Sequence, residues 1–197
     1  MDFIGGTEGF EIRNQSCDVI LTNCRALGAD KNGFSINTAG LAILENCQAG
    51  YNRLDGFNYH KPSGFAAGRV IEINCGSLGV SGVGLSLNNQ VSSIHDGVKI
   101  LRIGSDFWGS GDQVISDVNA GSMAWNVGLR LGASRDESSR NTGYELSDGA
   151  EGWLYDCDLG HSARQLLVNG STARLHNTLP ASYRVTGSGV VEAYVQT

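Results

Sequence analysis

The strongest constraint in this 197-residue chain is a short apolar segment that keeps returning. Asp18-Val-Ile-Leu-Thr-Asn-Cys24 is followed by Leu41-Ala-Ile-Leu-Glu-Asn-Cys47, by Arg69-Val-Ile-Glu-Ile-Asn-Cys75 and later by Gly152-Trp-Leu-Tyr-Asp-Cys157. Lys99-Ile-Leu-Arg-Ile-Gly104 and Val127-Gly-Leu-Arg-Leu-Gly132 keep the frame without the cysteine. With Cys24, Cys47, Cys75, Gly104, Gly132 and Cys157 as anchors, the period is 23 to 29 residues. A strand-sized unit at such a period cannot bury its apolar face alone. It must stack on its neighbours, which defines a solenoid.

A second segment repeats out of phase with the first. Gly9-Phe-Glu-Ile12, Gly33-Phe-Ser-Ile36, Gly56-Phe-Asn-Tyr59, Gly84-Leu-Ser-Leu87 and Gly143-Tyr-Glu-Leu146 alternate apolar and polar, with Ile115-Ser-Asp-Val118 as a looser copy. Glycine supplies a bend and the alternation predicts a strand with one face on a core. Segments rich in Gly, Asn, Asp and Ser join the two strands of each coil. No stretch has a helical period, which argues against a leucine-rich repeat; a sandwich or barrel is the other alternative. The expected fold is all-β: a single-stranded right-handed parallel β-helix of about seven coils. Coils should occupy residues 1–164, with strands in 165–197 capping the stack. The missing polar cap at residues 1–8 suggests a fragment of a longer protein.

Composition excludes several classes. The net charge of −6, without any basic run, argues against nucleic acid and anionic membranes as partners. No apolar run is long enough to span a bilayer, and Met1-Asp-Phe-Ile-Gly-Gly is no signal peptide. Three of the five cysteines directly follow Asn23, Asn46 and Asn74, so they read as an interior ladder of small apolar side chains rather than a disulfide framework. The three asparagines should form a parallel ladder of side-chain amides. No cysteine pair has metal-ligand spacing, and no cofactor is expected. Calcium, the one ion left open, has no motif to indicate it.

Using the Gly-aromatic strand as register, Glu11, Ser35, Asn58, Ser86, Asp117 and Glu145 should point outward. Two residues further on, so should Arg13, Asn37, His60, Asn88, Asn119 and Ser147. The extra residues at 61–68 and 89–97 would flank this polar stripe, as binding loops do on solenoids. Amides and carboxylates to bond hydroxyls, with Tyr59, Trp108 and Trp125 to face apolar sugar surfaces, would suit a polysaccharide. Asp117 and Glu145, on neighbouring rungs, could serve as a glycosidase acid and base. His60 or His95 with Arg102 could serve a lyase as base and charge neutraliser. His95-Asp96-Gly97 reads first as a turn.

At Asp55-Gly-Phe-Asn-Tyr-His60, Ile94-His-Asp-Gly97, Ser116-Asp-Val-Asn119 and Ala124-Trp-Asn126 the chain resembles the parallel β-helix regions of tailed-phage and prophage tail proteins, often labelled pectate-lyase-like. The resemblance spans roughly residues 9–160. It implies a tail-appendage region that binds bacterial or algal surface polysaccharide. The alternatives are a depolymerase of the same fold (lyase, hydrolase or epimerase) and a shaft without ligand. It further implies a homotrimer, located on the virion tail or outside the cell after folding in a reducing cytoplasm. Gly56-Phe-Asn-Tyr-His60 is similar to the Gly-Phe-Asp-Pro-His motif of alginate epimerases, but departs from it at Asn58 and Tyr59.

Overall fold

The computed structural model describes residues 1–77, 90–108, 113–132, 142–160 and 164–195, apart from the side chains of residues 14, 15, 90 and 108. Among these residues there are twenty-two strands, numbered here in chain order, and no helix. They form three sheets, and every pairing is parallel. Sheet A holds β1 (Asp2–Ile4), β4 (Arg25–Leu27), β7 (Gln48–Gly50), β10 (Gly76–Ser77), β13 (Asp106–Trp108) and β16 (Arg130–Gly132). Sheet B holds β2 (Phe10–Gln15), β5 (Phe34–Thr38), β8 (Phe57–Tyr59), β11 (Gln90–Ile94), β14 (Gln113–Val118), β17 (Thr142–Ser147), β19 (Arg164–Asn169) and β21 (Tyr183–Thr186). Sheet C holds β3 (Val19–Thr22), β6 (Leu41–Glu45), β9 (Arg69–Ile73), β12 (Lys99–Ile103), β15 (Met123–Val127), β18 (Glu151–Tyr155), β20 (Thr172–His176) and β22 (Val190–Tyr194). Through β18 the chain visits A, B and C in turn, and β19 to β22 alternate between B and C, so each strand pairs with its counterpart one coil away. This is an all-β solenoid of stacked parallel strands. Strands β19 to β22 extend sheets B and C in the same register as the coils before them.

The turn from sheet C to sheet A shows how the sequence closes a coil. Asn23, Asn46, Asn74, Gly104, Gly128, Asp156 and Asn177 occupy the same place, all with φ between 48° and 61°. Only Gly, Asn and Asp tolerate that left-handed conformation readily. Each N–H donates across to the next coil, for example Asn46 to the Ile73 carbonyl and Asn74 to the Ile103 carbonyl, both at 2.9 Å. The asparagines are therefore chosen for backbone geometry. Asn23, Asn46 and Asn74 are exposed, and no side-chain bond joins them, so the expected amide ladder is absent. The anchors also need correction. Gly104 matches Asn74, and Gly128 rather than Gly132 continues the column. The cysteine column is Cys24, Cys47, Cys75, Ser105, Leu129, Cys157 and Thr178, all buried. Its thiols and hydroxyl donate to main-chain carbonyls: Cys47 to Leu21, Cys75 to Leu44, Cys157 to Asn126 and Thr178 to Leu154, each at 3.4 Å.

The core fills from sheet B. Phe10, Phe34 and Phe57 stack with centroids 4.9 Å apart, following the rung spacing. Such ring pairs contribute about 0.5–1.5 kcal/mol beyond the area they bury. Gly33 precedes one of them because the next coil lies too close for a side chain: a Cβ would sit 2.8 Å from the Gly56 carbonyl oxygen. Its φ is not left-handed, so close approach rather than a bend requires glycine here. The ring column ends at Ser92, which pairs with Phe57, and Phe107 of sheet A closes the space against Phe57.

One expected loop is replaced: β11 (Gln90–Ile94) occupies most of the segment 89–97. The segment 84–87, with Ser86, and Asn88 lie outside the described residues.

Candidate functional site

The register of sheet B decides which side chains face solvent. Ser92 pairs with Phe57 on one side and Ile115 on the other, and Ile94 likewise with Tyr59 and Asp117. Ile115 therefore takes the place of the phenylalanine, not of the glycine before it. That one-residue shift sends Asp117 inward, since alternate residues face opposite sides of a sheet. Asp117 is fully buried. Glu145 pairs with Ser116 and faces outward, where Gln113 donates to it at 2.8 Å. Asp117 and Glu145 thus lie on opposite faces of sheet B and cannot flank one glycosidic bond. The rest of the outward stripe is largely covered: Ser35, Asn58, Ser93 and Ser116 are no more than 7% exposed. Asn58 donates to Asp55 Oδ2 and to Ser93 Oγ, at 2.5 and 3.2 Å, and Ser93 Oγ donates to the same carboxylate at 2.8 Å. Asn58 is a bracing residue rather than an open contact.

Asp117 belongs to a buried ionic cluster that also takes in two other expected site residues. Arg102 of β12 faces inward and is fully buried. Its two terminal nitrogens donate to the two Asp117 oxygens at 2.9 Å each, a forked pair of charge-assisted bonds. Its Nε lies 3.5 Å from Glu72 Oε2 and donates to Ser92 Oγ at 3.3 Å, and one terminal nitrogen also donates to Asn126 Oδ1 at 3.2 Å. Tyr59 Oη donates to Glu72 at 2.6 Å and Tyr144 Oη donates to Asp117 at 2.5 Å. Burial alone would lower the Arg102 pKa, but the Asp117 charge, the hydrogen bonds to Asp117 and the Glu72 charge together outweigh it, and the pKa is raised. Burial raises Glu72, although the Arg102 charge opposes it. Solvent reaches none of Tyr59, Glu72, Arg102 or Asp117, so Arg102 is no neutraliser of a substrate carboxylate and Tyr59 no platform for a sugar. The alternation already held the signal for this cluster. Leu44, Glu72, Arg102, Asn126 and Leu154 share one inward position of sheet C, with three polar residues between two leucines.

The polar residues that do reach the surface gather at the corner between sheets B and C. His60 directly follows β8 and His95 directly follows β11, one coil further on. Their rings stack with centroids 4.2 Å apart and planes within 3°. His95 begins the predicted turn: Asp96 and Gly97 have φ of 58° and 83°, and the Val98 N–H returns to the His95 carbonyl. The Asp96 carboxylate nevertheless serves the neighbouring coil. Its Oδ2 lies 3.4 Å from His60 Nδ1, and its Oδ1 accepts from Asn119 Nδ2 at 3.2 Å. Burial, with the His60 ring against it, lowers the His95 pKa to about 4, so this imidazole stays neutral at ordinary pH. The His60 and Asp96 side chains remain 37% and 48% exposed. The corner offers a neutral imidazole, a carboxylate and an amide on adjacent rungs, all able to hydrogen-bond a hydroxyl-rich ligand. Among the described residues no three His, Cys, Asp or Glu side chains are grouped to hold a metal ion.

The expected aromatic platforms are arranged otherwise. Trp125 lies on the outer face of sheet C and stacks on Trp153 at 5.0 Å, with planes 9° apart. The Arg174 guanidinium sits 4.8 Å over the Trp153 ring. Tyr155, His176 and Tyr194 stack in the same manner, at 4.4 and 4.8 Å. These rings face one another along the solenoid and turn their edges to solvent. The Trp108 side chain lies outside the described residues.

The class this defines is an all-β solenoid of three parallel sheets, with a sealed ionic cluster in its core and an imidazole–carboxylate–amide corner on its surface. No protein-family model, no curated protein and no solved structure matches the chain.

Proposed function

We propose that the chain is a single-stranded, right-handed parallel β-helix of about seven coils that binds a polysaccharide without cleaving it, as a region of a phage-type tail appendage. The observation that carries the binding is the surface corner of His60, His95, Asp96 and Asn119, where two stacked imidazoles, a carboxylate and an amide lie on adjacent rungs. A sugar unit spans roughly that spacing, so successive sugars can meet successive coils. Binding is preferred to turnover because Asp117 and Arg102 lie sealed in the core and Glu145 lies on the other side of the sheet from Asp117. The appendage assignment rests on the sequence resemblance. The free cysteines support folding in a reducing compartment.

A shaft without ligand is the second reading, favoured by one observation: the described aromatic stacks on sheet C turn edges rather than faces outward. A panel of bacterial capsules and alginates separates the readings. Binding is read by calorimetry, and cleavage by reducing ends and by unsaturated products absorbing in the ultraviolet. The proposal expects binding to at least one glycan, weakened by His60→Ala and by Asn119→Ala, with no product. Product formation would make the protein a depolymerase. Binding indifferent to both substitutions would move the site elsewhere, and no binding at all would leave the shaft.

A further inference from the structure

The centre of the outer face of sheet C, from β3 to β15, is apolar where a solenoid wall facing only water would be polar. Along its centre run Ile20, Ile43, Ile71, Leu101 and Trp125, aligned rung by rung in one register. Ile20 is 70% exposed, and beside the row Ile103 and Val127 are 37% and 38% exposed. Ile43, Ile71, Leu101 and Trp125 are half-buried, so an apolar row reaches solvent along several coils, and a contiguous apolar patch rimmed by polar residues marks an interaction site.

From this face we propose that a second copy of the chain docks on the outer face of sheet C, about a two-fold axis parallel to the solenoid axis. This goes beyond the glycan reading and does not rest on it, because the His60 corner lies outside the row. Three features select a second copy. The first is self-complementarity: such an axis sets each rung against the same rung of the partner with strand direction reversed, so the central isoleucines and Leu101 meet their own counterparts. The second is charge. Arg69 begins β9 and Glu45 ends β6, at opposite edges of the face, and both are exposed. Among the described residues neither has an ion-pair partner within the chain. Reversal of the partner brings its Glu45 edge over Arg69, one rung away, twice per dimer. The third is area. The six strands from β3 to β18, of about five residues each, cover roughly 480 Å² before side-chain relief is added, at about 4.8 Å between strands and 3.3 Å per residue. A stable interface takes about 800 Å² from each partner, which is the same order. Towards β20 and β22 the central row becomes Arg174 and Glu192, which pair with each other at 3.1 Å, so the apolar surface is bounded.

Sedimentation equilibrium of the whole chain tests this. The expected mass is twice the 20.8 kDa of one chain. Ile71→Lys together with Leu101→Lys should halve that mass with the circular dichroism unchanged. If this pair fails to fold, Ile71→Thr with Leu101→Thr takes its place, since threonine suits an exposed strand. Arg69→Glu should weaken the dimer and adding Glu45→Arg should restore it. A monomeric wild type, or a dimer that survives the folded double variant, overturns the proposal. A mass of three chains, as the resemblance implies, overturns the two-fold arrangement. Failure of the charge swap to restore association overturns the Arg69–Glu45 pairing.

Discussion

Asp117 separates a structural from a catalytic reading, and the structure fixes what its loss should do. The Arg102 side chain is fully enclosed, and Asp117 supplies both of its shortest bonds. Leaving one member of a buried ion pair without its partner costs about 3–5 kcal/mol. Glu72 lies 3.5 Å from Arg102 Nε and retains part of the compensation. Asp117→Asn should therefore fall near the lower end, about 3 kcal/mol. Arg102→Met should fall near the upper end, about 5 kcal/mol, because it leaves Glu72 and Asp117 buried without a cation. Arg102→Met with Asp117→Leu removes both charges, and should cost less than the sum of the single changes by more than about 1 kcal/mol, as coupled neighbours do. Urea unfolding gives these values as midpoint shifts at unchanged slope. If Asp117→Asn leaves the midpoint within about 0.5 kcal/mol of wild type, a range typical of surface changes, the sealed ion pair is wrong. Strict additivity in the double variant would refute it equally.

Three further outcomes follow from the same geometry. Glu72 has a raised pKa in the fold, so its contribution is complete below its unfolded value and is lost as pH rises through the folded one; Glu72→Gln should thus raise the urea midpoint at about pH 8 and give little gain at about pH 4, and equal effects at both would contradict it. A thiol reagent should modify Cys17 alone in the native protein and all five cysteines after denaturation, because the other four are buried and burial raises the Cys24 and Cys157 thiols, the latter to about 11; rapid native labelling at Cys47 or Cys75 would open the interior column. Asn46→Ala should cost about 1–2 kcal/mol for placing alanine at left-handed φ, whereas Asn46→Gly should leave the melting temperature unchanged or raise it; equal losses would restore a side-chain role for the amide.

Much of the fold was legible because the repeat encodes it three times over: as the apolar strand of sheet C, as the asparagine turn and as the Gly-aromatic strand. Each observation alone permits several folds. Together they leave little besides stacked parallel strands. The site was far less legible, and the reason is local. Strand β14 lacks the glycine that marks the register in β2, β5, β8 and β17, so Ile115-Ser-Asp-Val118 could be aligned in two ways that differ by one residue. One places Asp117 outside and the other places it in the core. A register that depends on a single missing marker carries no information about which face a side chain takes. Gly104 misled in the same way, since glycine could stand for the small cysteine or for the left-handed asparagine, and Gly132 drew attention from Gly128, which makes the turn. The covered state of Asn58 had no signal of its own, because what brackets it comes from Asp55 and from Ser93, a whole coil further on.

The stacked rings limit how such a surface can recognise anything. Strands repeat at about 4.8 Å, close to the stacking distance of flat rings, so aromatic residues in one column pair face to face. His60 with His95, and Trp125 with Trp153, do so at 4.2 and 5.0 Å. Each pair gains attraction and rigidity but hides the ring faces against which an apolar sugar surface would pack. At the His60 corner what remains outward is imidazole edges, an amide and a carboxylate, which act through hydrogen bonds. Each such bond is worth about 0.5–1.5 kcal/mol net, so affinity has to accumulate over several rungs rather than concentrate in one aromatic anchor. The solenoid meets that need, because it places equivalent side chains at a constant spacing along a rigid wall. The geometry that removes aromatic platforms is therefore the geometry that allows many weak contacts to be made in register.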